Sequence, residues 1–482
     1  MARYPVKVNH LIKDFVDRTY GIHRLHPAWH ISSGRTKKAL YISSPIGLVH
    51  AMRDVAIADE LREIDPDLRV DWPAQDPVTR VLNARDETTH PASRHLASES
   101  AHLESESGEH DLNAFQAIRS VNEIMTSNFM VLDEVIADGQ YDLVIGDETW
   151  ELDYHLHENP DLKTTSYVWM TDLVGWVPMP SGGEREPLVA DYNAEMIGHI
   201  ARHKRIRDKA ILIGNPDDII AGTFGPDLPA TREWTEANYA FAGCVTGFDP
   251  DALSRRDELQ EELGFQPVEK VCIVTVGGSG VGRSLIERIV KSYPASREAV
   301  PGLRVIVVAG PRLNPDALPQ VEGVEYRPYV EHLYRHLAAC DLAVVQGGLT
   351  TTMELTASKV PFIYVPLRNH FEQNFRVPAR LERYEAGRRM DYDEIVPDRT
   401  ASTILDEIGR PVDFLDVESD GAAKAASLIA ELRLRPALDA GQSCGRHVCR
   451  IARCAVAALP DEPPGVSLAT RDRGVVLSCR CA

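Results

Sequence analysis

Apolar residues in this chain fall into short runs separated by stretches in which they recur every three or four positions. Residues 39–42 (Ala-Leu-Tyr-Ile) form the first run, a Ser-Ser-Pro turn leads to Gly47, and Leu48, Met52, Val55, Ala58 and Leu61 then share one helical face. This is the pattern of a strand, a loop and a helix. Further apolar runs at 68–72, 143–145, 167–170 and 211–213 alternate with helical patterns, notably between 114 and 136. Runs that are apolar throughout belong to strands covered on both faces, and strands alternating with helices predict a parallel sheet. A second series repeats the first, with strands at 271–276, 305–308, 342–345 and 362–365. Between the two series, residues 243–250 (GCVTGFDP) carry turn residues and precede a charged helix that stops at a glycine.

The fold class predicted is α/β, with two Rossmann-like domains whose parallel sheets face each other across a cleft. The predicted boundaries are an extension at 1–36, a first domain at 37–245 and a second at 246–420. A strong helical segment, 421–436, and a tail, 437–482, complete the chain. Residues 94–110 (RHLASESAHLESESGEH) are polar and Ser/Glu-rich, and read as a mobile loop or exposed helix over the cleft. His90, His95, His102 and His110 read as surface histidines. Five of the eight cysteines lie in the tail. Cys444, Cys449, Cys454 and His447 offer zinc-ligand chemistry, but the spacing matches no common structural zinc site, so the tail reads as poorly ordered and outside the catalytic fold.

Length and charge narrow the function. A chain of 482 residues exceeds one ordinary core, in keeping with two domains. A formal charge of −20 argues against nucleic acid as a partner, since that surface needs a basic footprint. No run reaches the ~18 consecutive apolar residues of a transmembrane helix, and the first residues lack signal-peptide features. Cys244, Cys272 and Cys340 are isolated and read as reduced core residues, so the expected location is the cytoplasm.

The candidate chemistry is concentrated in residues 341–374, DLAVVQGGLTTTMELTASKVPFIYVPLRNHFEQN. A buried strand runs into Gln346, Gly347 and Gly348, whose glycines allow a sharp turn into a helix with outward-facing amides. Thr350 and Thr351 lie in the first turn, where hydroxyls cap amides or donate to phosphate oxygens. Taken alone this is ordinary helix capping. Glu354 follows, then a second strand, then Glu372, Gln373 and Asn374 at its carboxyl end, where open α/β sheets bind ligands.

This run resembles the donor-binding segment of nucleotide-sugar glycosyltransferases with two Rossmann-like domains, the GT-B superfamily of UDP-glycosyltransferases and lipid-II-forming N-acetylglucosaminyltransferases. Gln346 stands where that family usually has a histidine that contacts phosphate, and Thr351 replaces its serine. The resemblance implies that Glu354 binds ribose, that Glu372 and Gln373 contact the transferred sugar, and that Asn374 is a further donor-binding residue. It also makes the first domain the acceptor-binding domain and the second the nucleotide-sugar donor domain, with the helix at 421–436 crossing back onto the first.

Two further sites must face that pocket. Gly47-Leu48-Val49-His50 resembles the family's Gly-x-Gly-His, and His50 is the candidate base that removes a proton from an acceptor hydroxyl. In the first turn of a helix, the dipole is expected to keep its ring neutral near pH 7. The alternative is a capping or packing histidine. Asp147 ends the strand at 143–145 and corresponds in order to the family's aspartate that orients the histidine. Glu148, Glu151 and Asp153 crowd the same region, so a solvated acidic loop is the competing reading. In the second domain Gly278 and Ser279 belong to a glycine loop after a strand, and Val330 resembles the segment that reads the nucleotide base.

The same loop, GGSGVGRS, is one residue from a P-loop, but Arg283 replaces the lysine and is not its equivalent at a phosphate. Asp391-Tyr392-Asp393 is a chance triplet in a chain with 72 acidic residues. The reading is an inverting, metal-independent glycosyltransferase with no cofactor, a UDP-sugar or TDP-sugar as donor, and a small-molecule or lipid acceptor. A UDP-N-acetylglucosamine 2-epimerase of the same fold and a catalytically inert binding protein remain as alternatives.

Overall fold

The computed structural model describes residues 36–180, 186–278 and 280–434. Ser279, the first 35 residues and the cysteine-rich tail lie outside them, as does nearly all of the predicted amino-terminal extension.

Twelve strands form two six-stranded sheets among the described residues. The first contains β1 (Lys38–Ile42), β2 (Arg69–Asp71), β3 (Leu143–Asp147), β4 (Ser166–Thr171), β5 (Lys209–Leu212) and β6 (Ala240–Phe241), in the order β2-β1-β3-β4-β5-β6. The second contains β7 (Lys270–Thr275), β8 (Leu303–Val308), β9 (Val324–Arg327), β10 (Leu342–Val345), β11 (Phe362–Tyr364) and β12 (Arg388–Arg389), in the order β12-β11-β10-β7-β8-β9. Every pairing is parallel. The short strands β6, β9 and β12 have no apolar run of their own; they are held at the sheets by their neighbours.

The period-2 alternation of a strand explains why the central runs are apolar throughout. In the second sheet Val271, Ile273, Ala343, Val345 and Phe362 face one core, while Cys272, Val274, Leu342, Val344 and Ile363 face another. The first sheet repeats this: Ala39, Tyr41, Leu143 and Ile145 point one way, Leu40, Ile42, Val144 and Trp169 the other. The helix Leu48–Ile64 covers the first of these faces with Ala51, Val55, Ala58 and Leu61. Beside it lie Ala425, Ala426 and Ile429 of the helix Gly421–Leu434, which follows the second sheet in the chain yet packs on the first. Each large aliphatic side chain so buried contributes about 1.5–3 kcal/mol.

The segment at 94–110 departs from expectation. It forms a 3-10 turn (Pro91–His95) and a helix (Glu99–Glu106), and it buries Glu99, Ser100, Leu103 and His110. Leu103, with Leu112, packs against Val281 and Leu367 of the second half. The Leu112 amide donates to the Arg368 carbonyl, the Arg368 amide donates to the His110 carbonyl, and the Asn369 amide side chain donates to Asp111. Glu104 pairs with Arg312 at 2.8 Å, and Glu109 accepts from Arg288 and Tyr392. The segment is a clamp between the halves; its polar sequence hid this because each polar group finds its partner far away in the chain.

His110 is correspondingly not a surface histidine. It is fully buried, stacks on Tyr392 with ring centroids 4.3 Å apart, and its Nε2 meets the Val365 and Pro366 carbonyls. Burial pushes its pKa down to about 4. The Asp391–Asp393 triplet is structural: Asp391 takes part in a capping box with Glu394, and Asp393 pairs with Arg368.

Candidate active site

Each sheet brings its chemistry to one point. In the first, β1 lies beside β3, with Ile42 paired to Gly146, so the helix that follows β1 starts next to the end of β3. That adjacency puts His50 Nδ1 2.7 Å from Asp147 Oδ2. In the second, β7 lies beside β10, with Thr275 paired to Val345, so the glycine loop after β7 and the Gln346–Gly348 turn after β10 are neighbours. Both are positions outside the carboxyl ends of strands where the order reverses, the usual ligand site of an open parallel sheet.

The two points face the same cleft. A cavity of about 190 Å³ is lined from the first half by His50, Glu148, Asp172, Trp150 and Trp176, and from the second by Gly277, Gly278, Gln346, Gly348, Thr350, Thr351, Glu372 and Gln373. A second cavity of about 110 Å³ is lined by Val330, Tyr329, Tyr334 and Glu354. Val49, Thr275, Gly277, Gly278 and Thr351 line both, so the glycine loop stands where the two compartments meet.

Asp147 has no exposed surface and is the hub of a buried charge network. Arg53, one turn after His50, donates through Nη2 to Asp147 Oδ1 at 2.6 Å and through Nε to Oδ2 at 3.2 Å. Its Nη1 donates to Asp172 at 2.8 Å. Burial disfavours the Asp147 charge, but Arg53 and His50 outweigh it and hold the carboxyl well below the usual range. His50 Nδ1 also lies 2.9 Å from Arg53 Nη2. Facing an ionised carboxylate on one side and a donor on the other, Nδ1 carries the proton and donates to Asp147, which leaves Nε2 for a ligand.

The expectation of a neutral imidazole is corrected. His50 does sit in the first turn after Gly47. Burial and Arg53 pull its pKa down, yet Asp147 and then Glu148 lift it to about 9. Charges a few ångströms away outweigh a helix dipole. The solvated acidic loop is ruled out too: Glu148, Glu151 and Asp153 are all buried. Glu148, raised to about 8 by burial and then by Asp172, accepts from the Thr171 hydroxyl. Asp153 is paired with Arg207 at 2.7 Å.

On the opposite wall, Gly347 has φ +91°, a value that favours glycine. A Cβ on Gly278 would meet Leu48 Cγ at 2.9 Å, so the loop needs glycine to approach the first helix closely. Gly348, not a threonine, is the N-cap of the helix Leu349–Ala357, and no side chain caps it. Thr352 donates to the Leu349 carbonyl, while Thr350 and Thr351 line the cleft. Gln346 is buried with an unpartnered Nε2. A buried amide donor without a partner is costly unless a ligand supplies one. Glu354 is buried, and burial alone pushes its pKa up to about 8.

Glu372 and Gln373 open a single π-helical turn, Glu372–Arg376. Gln373 accepts from the Leu367 amide. Glu372 is raised to about 7 by burial and then by Asp172 across the cleft. Asn374 departs from expectation: it lines neither cavity, because its amide donates to the Leu367 and His370 carbonyls and accepts from Arg389. Arg376 donates to the Val174 and Gly175 carbonyls, tying the loop that carries Asp172 and Trp176 to the second half. Arg283 spends its guanidinium on Glu287 and the Ala317 carbonyl and lines neither cavity, which removes the P-loop reading.

Arg53, Asp172 and Glu148 were not legible as site residues. Arg53 had one signal, its place one helical turn from His50; Asp172 had another, its place just after β4. The group of Glu158, Glu195 and His199, whose ligand atoms lie within 4.8 Å of one another, also lines neither cavity. Among the described residues no helix is long and apolar enough to cross a membrane.

Residues 271–431 match the glycosyltransferase family 28 C-terminal domain. The chain is 28% identical over 196 residues to an uncharacterised glycosyltransferase of Methanopyrus kandleri, covering 40% of this chain and 55% of that protein. It is 30% identical over 167 residues to the UDP-N-acetylglucosamine–N-acetylmuramyl-(pentapeptide) pyrophosphoryl-undecaprenol N-acetylglucosamine transferase of Carboxydothermus hydrogenoformans, covering 33% of this chain and 43% of that one. The chain thus spans about half the length of the relatives it matches. A similar solved structure is the glycosyltransferase SnogD from Streptomyces nogalater, with a TM-score of 0.49 and 17% identity over 82% of this chain and 100% of that one. Residues 271–431, which hold the second parallel sheet, are thus similar to the glycosyltransferase family 28 C-terminal domain.

Proposed function

We propose that this protein is an inverting, metal-independent glycosyltransferase that moves a sugar from a nucleoside diphosphate donor, UDP first and TDP second, to an acceptor hydroxyl. The observation that carries this is the His50–Asp147 pair at 2.7 Å, on the wall opposite the unpartnered Gln346 amide and the glycine turns. In this reading the nucleoside lies by Val330 and Glu354, the diphosphate crosses the shared glycine loop, and the sugar meets Glu372 and Gln373.

In its neutral form, which becomes populated as pH rises toward about 9, His50 Nε2 takes the acceptor proton as the oxygen attacks the anomeric carbon from the face opposite the diphosphate. The anomeric carbon–oxygen bond breaks and its electrons leave with the diphosphate. Backbone amides of the turns, Gln346 and the Thr350 and Thr351 hydroxyls stabilise that charge without reorganising. Asp147 stabilises the imidazolium.

The acceptor presents its hydroxyl on an uncharged apolar body. Trp150, Trp176, Leu173, Leu103 and Ile118 line the first-half wall, and no Lys or Arg lines either cavity among the described residues. Three buried free cysteines support a reducing compartment, the cytoplasm.

The test is a thermal-shift series with UDP, TDP, ADP and ATP, with and without magnesium, followed by mass spectrometry of UDP-sugars and TDP-sugars incubated with hydroxylated apolar acceptors. Stabilisation by UDP or TDP without magnesium, and a glycosylated acceptor, are expected. Stabilisation by ATP with magnesium alone would overturn the reading, and an isomerised nucleotide sugar formed without acceptor would replace it with epimerisation.

A further inference from the structure

We propose that Arg53 is a positioning residue for His50: it fixes the Asp147 carboxylate against the imidazole and joins that pair to Asp172 on the cleft wall. This goes beyond the transferase reading and depends on it only in giving His50 a proton to take.

The geometry is specific. Arg53 is 1% exposed and makes two hydrogen bonds to Asp147 and one to Asp172. Asp147 Oδ1 and Oδ2 are both held by the guanidinium fork, so the carboxylate plane cannot rotate, and Oδ2 stays 2.7 Å from His50 Nδ1. A lysine offers a point charge and no fork. Asp172 sits after β4, on the next strand to the one that ends in Asp147, so one guanidinium spans two strand ends and the first turn of a helix.

The network also sets how tightly His50 holds a proton. Asp147 and Glu148 follow from β3, Asp172 from β4, Asp54 and Arg53 from the same helix as His50, and Glu372 from the second half; each acts on His50 or is acted on by it. Of these, Arg53 is the cation that opposes protonation. Carboxylates alone would keep the imidazole charged and unable to accept a proton. With Arg53 among them, His50 keeps its orienting carboxylate and holds its proton less tightly than the carboxylates alone would make it.

The experiment is an NMR titration of His50 in the full chain, alongside the pH profile of kcat/KM, for the wild type, Arg53→Met, Arg53→Lys and Asp172→Asn. Arg53→Met is expected to raise the His50 midpoint by about one pH unit and to carry the acid limb of kcat/KM with it, roughly tenfold at pH 7. Asp172→Asn is expected to lower the midpoint. Arg53→Lys is expected to keep the midpoint and lose rate across the profile. An unmoved midpoint in Arg53→Met, or a rate loss equal at all pH values, overturns the proposal. If that variant does not fold, an unmoved midpoint in Asp172→Asn overturns it instead. A wild type that transfers no sugar sinks the transferase reading, while the titration still decides the role of Arg53.

Discussion

The two walls of the cleft are built from the same strand-loop-helix unit and reach opposite electrostatic solutions. The first-half wall concentrates full charges: Arg53 hydrogen-bonds both Asp147 and Asp172, with His50 at the edge against Asp147. The second-half wall offers glycine turns, a free amide at Gln346, threonine hydroxyls and Glu354, whose carboxyl is held neutral up to about pH 8 by burial. A wall that must change protonation needs charges that compensate one another. A wall that must receive a phosphorylated ligand does better with dipoles, which cost no counter-ion when the site is empty.

The largest effect should come from taking the charge wall apart. His50→Ala is expected to lower kcat by about 10²–10⁴-fold with little change in donor KM, measured by steady-state transfer. A large rise in donor KM instead would mean that the two walls do not divide the work.

The seam between the walls should respond to acid. His110 has its pKa depressed to about 4 by burial. The unfolded chain therefore binds the proton more tightly, and this contribution to stability is complete above about pH 6.5 and lost as pH falls through 4. Up to about 3 kcal/mol is expected to disappear across that window. Denaturation at pH 7 and pH 4.5 should show it, and His110→Asn should shrink the difference, the remainder coming from His370, whose pKa burial lowers to about 4 as well.

Glu354→Gln tests the dipole wall. It is expected to weaken UDP or TDP binding by roughly tenfold, the loss of one buried hydrogen bond. Glu354 in the fold has a raised pKa, so the stability it lends is present at low pH and declines as pH rises toward 8. The same substitution should therefore raise the melting temperature of the ligand-free protein at pH 8 by a few degrees. Calorimetry that finds weaker binding without that gain would show that Glu354 is stabilised by something other than its ligand. The smallest effect is expected for Arg312→Ala, which breaks the clamp's ion pair with Glu104 and should cost below ~1 kcal/mol in chemical denaturation.

The sequence carried the scaffold further than it carried the site. Strands such as those at 143–145 and 342–345 are legible because both faces are buried and nothing polar interrupts them. The approach of His50 to Asp147 follows from strand order, once β1 and β3 are recognised as neighbours. Arg53 was not legible, since an arginine one turn into a helix is ordinarily solvated, and only the two carboxylates brought in from other strand ends make it otherwise. His110 and the residues around it failed for the same reason: their partners, Val365, Arg368 and Tyr392, lie more than 250 positions away. Local pattern reads local structure, whereas a polar segment that docks at long range looks like a loop.

The helix Gly421–Leu434 has a consequence for the order of assembly. Ala425, Ala426 and Ile429 complete the core that Ala39, Tyr41 and Ile145 begin. During synthesis from the amino terminus, the half that emerges first thus waits for the last described helix before its hydrophobic face is sealed, while the second sheet can close on residues already made. The earlier-born half is the later to mature. A chain stopped at residue 420 should accordingly expose that face and bind a hydrophobic dye that the full chain excludes; equal dye binding by the two would rule out this order.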